Sequence, residues 1–262
     1  MIDRDPSSTS GMIDIHSHLL PGVDDGSRSM ETSVGVLGRF GQDGVSTLVC
    51  TPHLVASAAA TAPAERYAEL FAELVAAAPA TPSLMLGWEI MLDVPGADLR
   101  LPHLRLGPSS AVLVELPRNG VPSKAAEELF RIRMSGVVPI LAHPERYWGC
   151  SVDQVREWRR VGAFIQSDSA MLLGTGPQAE LARDMLAEGL IDCLASDNHG
   201  DSRSLATARD WLIDLGAPEA AELLTKTNAG LLLADQDPLD VPPVRVDRGM
   251  VARLRDLVRR RR

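Results

Sequence analysis

The stretch 12-MIDIHSHLLPGVDDGS-27 decides how the rest of the chain is read. A short apolar run ends in His16, Ser17 and His18, a turn follows, and Asp24 and Asp25 stand side by side before Gly26. The whole chain of 262 residues holds only six histidines, and two of them are one residue apart here. On a strand that is just ending, that spacing puts both imidazoles on the same side. Imidazoles gathered with carboxylates are a ligand set for divalent cations such as Zn, Fe or Mn.

Working outward, the same arrangement recurs. Apolar runs at 12–16, 46–51, 84–90, 111–116, 137–143, 163–167 and 191–196 are short and apolar on both faces, as parallel strands covered by helices are. Amphipathic stretches separate them at 29–44, 63–78, 123–136, 151–162, 177–189 and 202–216, several opening with Ser or Pro and closing with Gly. No helix is evident between the third and fourth runs, and one more is expected at 218–227. Repeated β–α units without a break in composition predict one domain with a parallel sheet closed, or nearly closed, into a barrel. The strand ends carry the polar residues: His16 and His18, His53, Glu89, Glu115, His143, and Asp197 with His199. Only His103 lies elsewhere. In a barrel all these ends meet at one mouth. Carboxylates converging there would repel and take up protons unless positive charge sits between them.

Composition is that of a soluble globular protein, 45% hydrophobic and 23% charged, with no apolar run long enough to span a bilayer. The polar residues 1–11 read as a disordered extension rather than a secretory signal. Three scattered cysteines fit neither a disulfide framework nor a zinc site. Cys50 and Cys193, inside apolar runs, read as buried free thiols in a reducing cytoplasm. The net charge of −9 argues against nucleic-acid binding. It is uneven, because residues 244–262 hold eight arginines against two aspartates. This Pro-containing and then basic segment, 235–262, is either a solvated end or a docking element for an anionic membrane or a phosphorylated partner.

DIHSH, TPH, GWEI, VELP, LAHPERY and ASDNH, in this order, resemble the polymerase and histidinol phosphatase (PHP) family. Within it, 14-DIHSHLLPGVDDGS-27 and 139-PILAHPERY-147 are similar to the bacterial PHP-type protein-tyrosine phosphatases that accompany the tyrosine kinases of capsule and exopolysaccharide synthesis. The resemblance covers residues 12–234 and implies a distorted (β/α)7 TIM-like barrel, in agreement with the count of runs. It also implies two or three divalent metal ions, manganese first, with Fe, Zn or Co as alternatives. The first would be held by His16, His18, Asp197 and a bridging Glu89, the second by Glu89, Glu115 and His143, the third by Asp25, His53 and His199. Asp24, adjacent and of the same type, could stand in for Asp25. Arg146 and Arg203 match family positions that grip phosphate.

The implied substrate is a phosphotyrosine protein, such as the tail of a tyrosine kinase, attacked in line by a metal-bridging hydroxide with no phosphoenzyme. Arg118 and Lys124 read as solvated, while Tyr147 and Trp148 either line a slot for an aromatic substrate or pack under the rim. Two departures from the family stand out: Leu54 follows His53 where a second histidine is common, and Asp168 in 166-QSDSAMLLG-174 adds negative charge near the mouth. The alternatives are a PHP phosphoesterase for a small ester such as histidinol phosphate, a metal-dependent amidohydrolase, and a catalytically silent binding module. A bridging lysine, frequent in amidohydrolases, is absent from every strand end, and no ligand position is lost as a silent module would allow.

Overall fold

The computed structural model describes residues 11–246. The expected N-terminal extension apart from Gly11, and the arginine-rich end from residue 247, lie outside the described residues. Among the described residues there are nine strands: β1 (Met12–Asp14), β2 (Val45–Cys50), β3 (His53–Val55), β4 (Ser83–Leu86), β5 (Glu89–Met91), β6 (Ala111–Glu115), β7 (Val138–Ala142), β8 (Phe164–Asp168) and β9 (Cys193–Ala195). The helices are α1 (Met30–Gln42), α2 (Ala64–Ala77), α3 (Ala125–Met134), α4 (Val152–Arg160), α5 (Ser169–Leu173), α6 (Pro177–Ala187), α7 (Leu205–Asp214), α8 (Pro218–Glu222) and α9 (Asn228–Leu233).

Nine strands trace seven staves, because the second and third staves are each broken in two. Pro52 has no N–H to give a ladder, so the second stave breaks after β2, which is the run expected at 46–51, and resumes beyond it as β3. Its pairing partner splits in step, β2 lying against β4 and β3 against β5. The N–H of Glu89 then donates to the Pro52 carbonyl at 3.1 Å. All pairings are parallel, β1-β2-β4 in one sheet and β3-β5-β6-β7-β8-β9 in the other. The ring closes just past the first and last strands. Ser17 bridges Asn198, the Asp197 N–H donates to the His16 carbonyl at 3.0 Å, and the His18 N–H donates to the Asn198 carbonyl at 2.8 Å.

The helix punctuation is as the sequence predicts. Ser29, Ser151 and Ser204 accept backbone N–H groups at the starts of α1, α4 and α7, and Pro177 opens α6. Glycines at 44, 136, 162, 189 and 216 adopt the left-handed conformation that ends a helix. The segment 92–110 has no α-helix, again as expected, only a short 3-10 turn at Pro102–Leu104 that carries the exposed His103. It is held by Trp88, whose indole donates to the His103 carbonyl at 2.8 Å and stacks on Tyr67 at 4.9 Å. A side chain at Gly87 would meet Leu106 at 2.6 Å, so this loop packs only against glycine. The helix expected at 218–227 instead runs to residue 233, with a π-turn at Leu223–Thr227.

The core has two parts. The larger lies between strands and helices, with Leu37, Phe40, Val114, Leu141, Trp158 and Leu194 among its members. The smaller fills the barrel itself with Ile13, Ile15, Val49, Leu113, Ile140 and Ala195, joined by Leu232 and Leu233 of α9. Residues 235–246, grouped with the tail in the sequence, lie along this body. Val241 and Val244 are buried, and Asn228 both donates to and accepts from the backbone of Leu239. Among the described residues no helix is long and apolar enough to cross a membrane.

Tyr147 ties two staves together beneath the mouth. Its hydroxyl donates to the Ala142 carbonyl at 2.6 Å and accepts the Leu116 N–H at 3.1 Å, and the side chain is buried. Tyr147→Phe would strand a buried N–H and a buried carbonyl. Urea unfolding should show a loss of about 1–3 kcal/mol, whereas an unchanged midpoint and slope would contradict the bridge.

Candidate metal centre

Period-two alternation lifts chemistry out of the barrel core. Three staves run apolar inward at the bottom and polar at the top: Ala111, Leu113, Glu115; Phe164, Gln166, Asp168; Cys193, Ala195, Asp197. His143 and Asp197 then take positive φ, 33° and 45°, a conformation that costs a non-glycine residue on the order of 1–3 kcal/mol. Both residues lie at the mouth, and the turn each makes aims its side chain there.

The innermost groups are fully buried. His16 Nε2 lies 3.2 Å from His18 Nε2, 3.3 Å from Asp197 Oδ1 and 3.5 Å from Glu89 Oε1. His18 Nε2 lies 3.2 Å from Asp197 Oδ1 and 3.4 Å from Glu89 Oε2. The outer nitrogen of each ring is already engaged. His16 Nδ1 meets Gln166 Oε1 at 2.9 Å, and His18 Nδ1 meets Asp24 Oδ2 at 2.8 Å. Both partners are acceptors, so each Nδ1 donates its proton outward and each Nε2 is turned inward, free to give its lone pair to a cation in place of a proton.

Around this pair stand Glu115 and His143 on one side and His53, His199 and Asp25 on the other. His143 Nε2 is 2.7 Å from Glu89 Oε1, and His53 Nδ1 is 2.8 Å from Glu89 Oε2. Asp25 Oδ1 lies 3.2 Å from His53 Nε2 and 3.5 Å from His199 Nε2. Asp24 and Asp25 therefore divide their work. Asp24 turns inward to His18 and also accepts N–H groups from Gly26 and His53, while Asp25 faces the open side. Gly26 is required here, since a Cβ would lie 2.2 Å from the His18 carbonyl.

Four groups of donors have their ligand atoms within 4.8 Å of one another: His18, Asp25, His53, His199; His16, His143, Asp197; His16, His18, Glu89; and His53, Glu89, Glu115. All nine residues singled out in the sequence as ligands fall within these groups. Glu89 Oε2, Glu115 Oε2 and both Asp197 oxygens are buried without an aligned hydrogen bond. Burial would depress His18, but Asp197, Asp24 and Glu89 hold it well above its ordinary pKa. Burial would likewise raise Glu89, but His16, His143 and His18 hold it well below. Burial and then the charge of Glu89 push Glu115 up. Cations fit such a set. They satisfy the converging carboxylate oxygens and ring nitrogens together, and they take the place of the protons these groups would otherwise hold.

Two arginines flank Asp197. Arg146 reaches Asp197 Oδ2 at 2.6 Å and also pairs with Asp168, and Arg203 lies 3.5 Å from Asp197 Oδ2. The charge that Asp168 brings to the mouth is thus matched by Arg146. Asn198 organises the following loop, accepting from Gly200 and Asp201 and donating to the Arg203 carbonyl at 2.7 Å. Of the residues placed in no role by the sequence, Gln166 is one that alternation from Phe164 points to. Asp14 is another, two before His16, and it accepts the N–H groups of Ser196 and His16. Glu145 accepts from Ser167 and Asp168 under the mouth, its carboxyl raised to about 7 by burial and then by Asp168. All three cysteines are free, and burial pushes the Cys50 and Cys150 thiols up to about 12 and that of Cys193 well above its ordinary value.

The fold resembles that in crystal structures described as YwqE from Bacillus subtilis and CpsB from Streptococcus pneumoniae, unique metal-dependent tyrosine phosphatases. The TM-score is 0.72 and identity 24%, covering 90% of this chain and 100% of the other. A mutant organophosphorus hydrolase from Deinococcus radiodurans shares the architecture more distantly, with a TM-score of 0.55 and 14% identity over 87% of this chain and 94% of the other. In sequence, the chain is 29% identical to the tyrosine-protein phosphatase YwqE of Bacillus subtilis over 90% of this chain and 97% of that protein. It is 30% identical to the tyrosine-protein phosphatase CpsB of Streptococcus pneumoniae over 86% and 99%. The family described as "Capsular polysaccharide synthesis, CpsB/CapC" matches residues 12–233, which run from the first residue of β1 to the last of α9 and hold every donor of the cluster. With the match spanning the whole barrel and its mouth, the chain belongs to the CpsB/CapC family.

Proposed function

We propose that the protein is a metal-dependent protein-tyrosine phosphatase of the cytoplasm, acting on a phosphotyrosine protein such as a tyrosine kinase that governs capsule or exopolysaccharide synthesis. The observation that carries this is the buried pair of imidazole Nε2 atoms converging with the Glu89 and Asp197 carboxylates at the mouth. Relatives named tyrosine-protein phosphatases over nearly their whole length support the substrate class.

His16, His18, Glu89 and Asp197 would hold one cation, Glu89, Glu115 and His143 a second, and Asp25, His53 and His199 a third, with manganese the metal of choice. Such ions lower the pKa of water toward neutrality and neutralise phosphate oxygens as charge moves to the leaving group. Glu89 would bridge the first two cations, a role supported by its Oε1 turning to His16 and His143 and its Oε2 to His18 and His53. Gln166 and Asp24 fix the ring orientations of His16 and His18. Arg146 and Arg203, both against Asp197, would grip the phosphoryl group, and a guanidinium fork matches two of its oxygens. Asp168 holds the Arg146 fork in place. Burial pushes all three thiols up, which disfavours the cysteines as nucleophiles.

Three outcomes follow. Glu89→Gln keeps the shape of the bridge but removes its charge. Hydrolysis of phosphotyrosine peptides should fall by orders of magnitude while the circular dichroism spectrum persists, and near-normal turnover would remove Glu89 from the bridge. The Gln166→Leu variant should bind Mn²⁺ about 10–100-fold more weakly in a direct titration; unaltered affinity would mean that His16 needs no partner. Replacing Cys50, Cys150 and Cys193 by Ser should leave the rate largely intact and chelation by EDTA should abolish it. A cysteine-free protein that keeps its metal but loses activity would point to a thiol mechanism instead.

A further inference from the structure

Three of the four tryptophans, Trp88, Trp158 and Trp211, are buried. The fourth, Trp148, is 79% exposed, the most exposed large apolar side chain among the described residues. It stands on the rim of the mouth, in the loop between β7 and α4 that begins with His143 and continues through Arg146. Its base is rigid. Tyr147 beside it is buried, pinned by two hydrogen bonds, with its ring edge-on to those of His143 at 6.1 Å and Trp158 at 6.4 Å. The Trp148 N–H donates to the Arg118 carbonyl at 3.0 Å, which joins this loop to the one following β6. Arg118 is itself half-exposed, and its Nε lies 3.6 Å from Glu115 Oε2 at the edge of the donor cluster. An exposed indole and a half-exposed guanidinium thus stand on two rim loops whose main chains are hydrogen-bonded to each other.

We infer that Trp148 and Arg118 form the docking surface for the polypeptide that carries the phosphotyrosine, the indole covering an apolar flanking side chain and the guanidinium taking an acidic one. This deepens the phosphatase reading and rests on it. The phosphoryl group must reach Arg146, Arg203 and the donor cluster inside the mouth, so the substrate's main chain is left at the rim, where these two side chains are. Trp and Arg are the residue types that concentrate binding energy when covered by a partner. A flat, rigid aromatic gives contact area at little entropic cost. Trp148 has no ion pair or hydrogen bond to the donor cluster, so its indole would select among phosphoproteins without altering the chemistry.

The test separates docking from hydrolysis. Fluorescence anisotropy would measure binding, to the Mn²⁺-loaded full chain, of a labelled peptide bearing the non-hydrolysable difluoromethylphosphonate analogue of phosphotyrosine with acidic flanks. A neutral-flanked counterpart would be measured alongside. Trp148→Ala should weaken binding about tenfold, Trp148→Phe should retain most of it, and para-nitrophenyl phosphate turnover by both variants should stay within about twofold of the parent. Arg118→Gln should erase the preference for the acidic-flanked peptide. Equal affinity of the parent and Trp148→Ala would overturn the inference, as would a parent that binds neither peptide. Equal losses on peptide and aryl phosphate would assign Trp148 a structural role, and an effect confined to sedimentation would make the rim a contact between copies; either result would also overturn it. A parent that binds the peptide through Trp148 yet hydrolyses nothing would sink the phosphatase reading and leave the docking surface standing.

Discussion

Two imidazole nitrogens, their lone pairs aimed at each other across 3.2 Å inside a fully buried pocket, set the constraint on which this molecule depends. Neutral rings in that arrangement repel, and protonated ones would bring positive charge into a buried place. Glu89 and Asp197, equally buried, pose the opposite problem. Held apart, each group would be costly, since an isolated charge pays heavily for losing its hydration. Brought together around cations, they satisfy one another. Much of the surrounding structure serves that gathering. The split of β2 and β3 at Pro52 delivers His53, and Gly87 and Trp88 seat Glu89. The left-handed turns at His143 and Asp197 bend two more side chains toward the mouth.

A barrel suits this task because it supplies seven independent chain ends at one rim while its interior stays apolar below. The same stave that contributes Ala111 and Leu113 to the core contributes Glu115 to the site. The rings are then fixed from outside by Gln166 and Asp24, and the ring of staves is closed by Ser17 and Asn198 next to the histidines themselves. Closure of the fold and assembly of the site are therefore one event. The strain at His143 and Asp197 is carried by a scaffold whose Tyr147 bridge and buried core over-determine their positions.

Much of this was legible in the sequence because strand ends, histidine spacing and helix punctuation are local signals. His16 and His18 announce themselves by spacing, and the seven staves by apolar runs between Ser- or Pro-opened and Gly-closed helices. The breaks within two staves were not legible, because Pro52 and Gly87 act through pairing with a neighbour stave rather than through local propensity. Nor did the adjacent pair Asp24 and Asp25 disclose which faces His18 and which faces His53, since that follows from the path of the loop over His18 at Gly26. Gln166 was within reach of the period-two pattern, which places it on the same face as Phe164. Its function comes only from a contact with His16, 150 residues away. Trp148 divides from Tyr147 in the same way: two aromatic neighbours, one pinned under the rim and one left outside it.

The central claim is that the lone pairs of His16 and His18 face a cation. Crystals grown with Mn²⁺ and measured at the manganese absorption edge test it most directly. The account predicts an anomalous peak bonded to both Nε2 atoms and to carboxylate oxygens of Glu89 and Asp197, with further peaks beside Glu115 and beside Asp25. An anomalous map with no peak between the two histidines, in a protein saturated with metal, would contradict it.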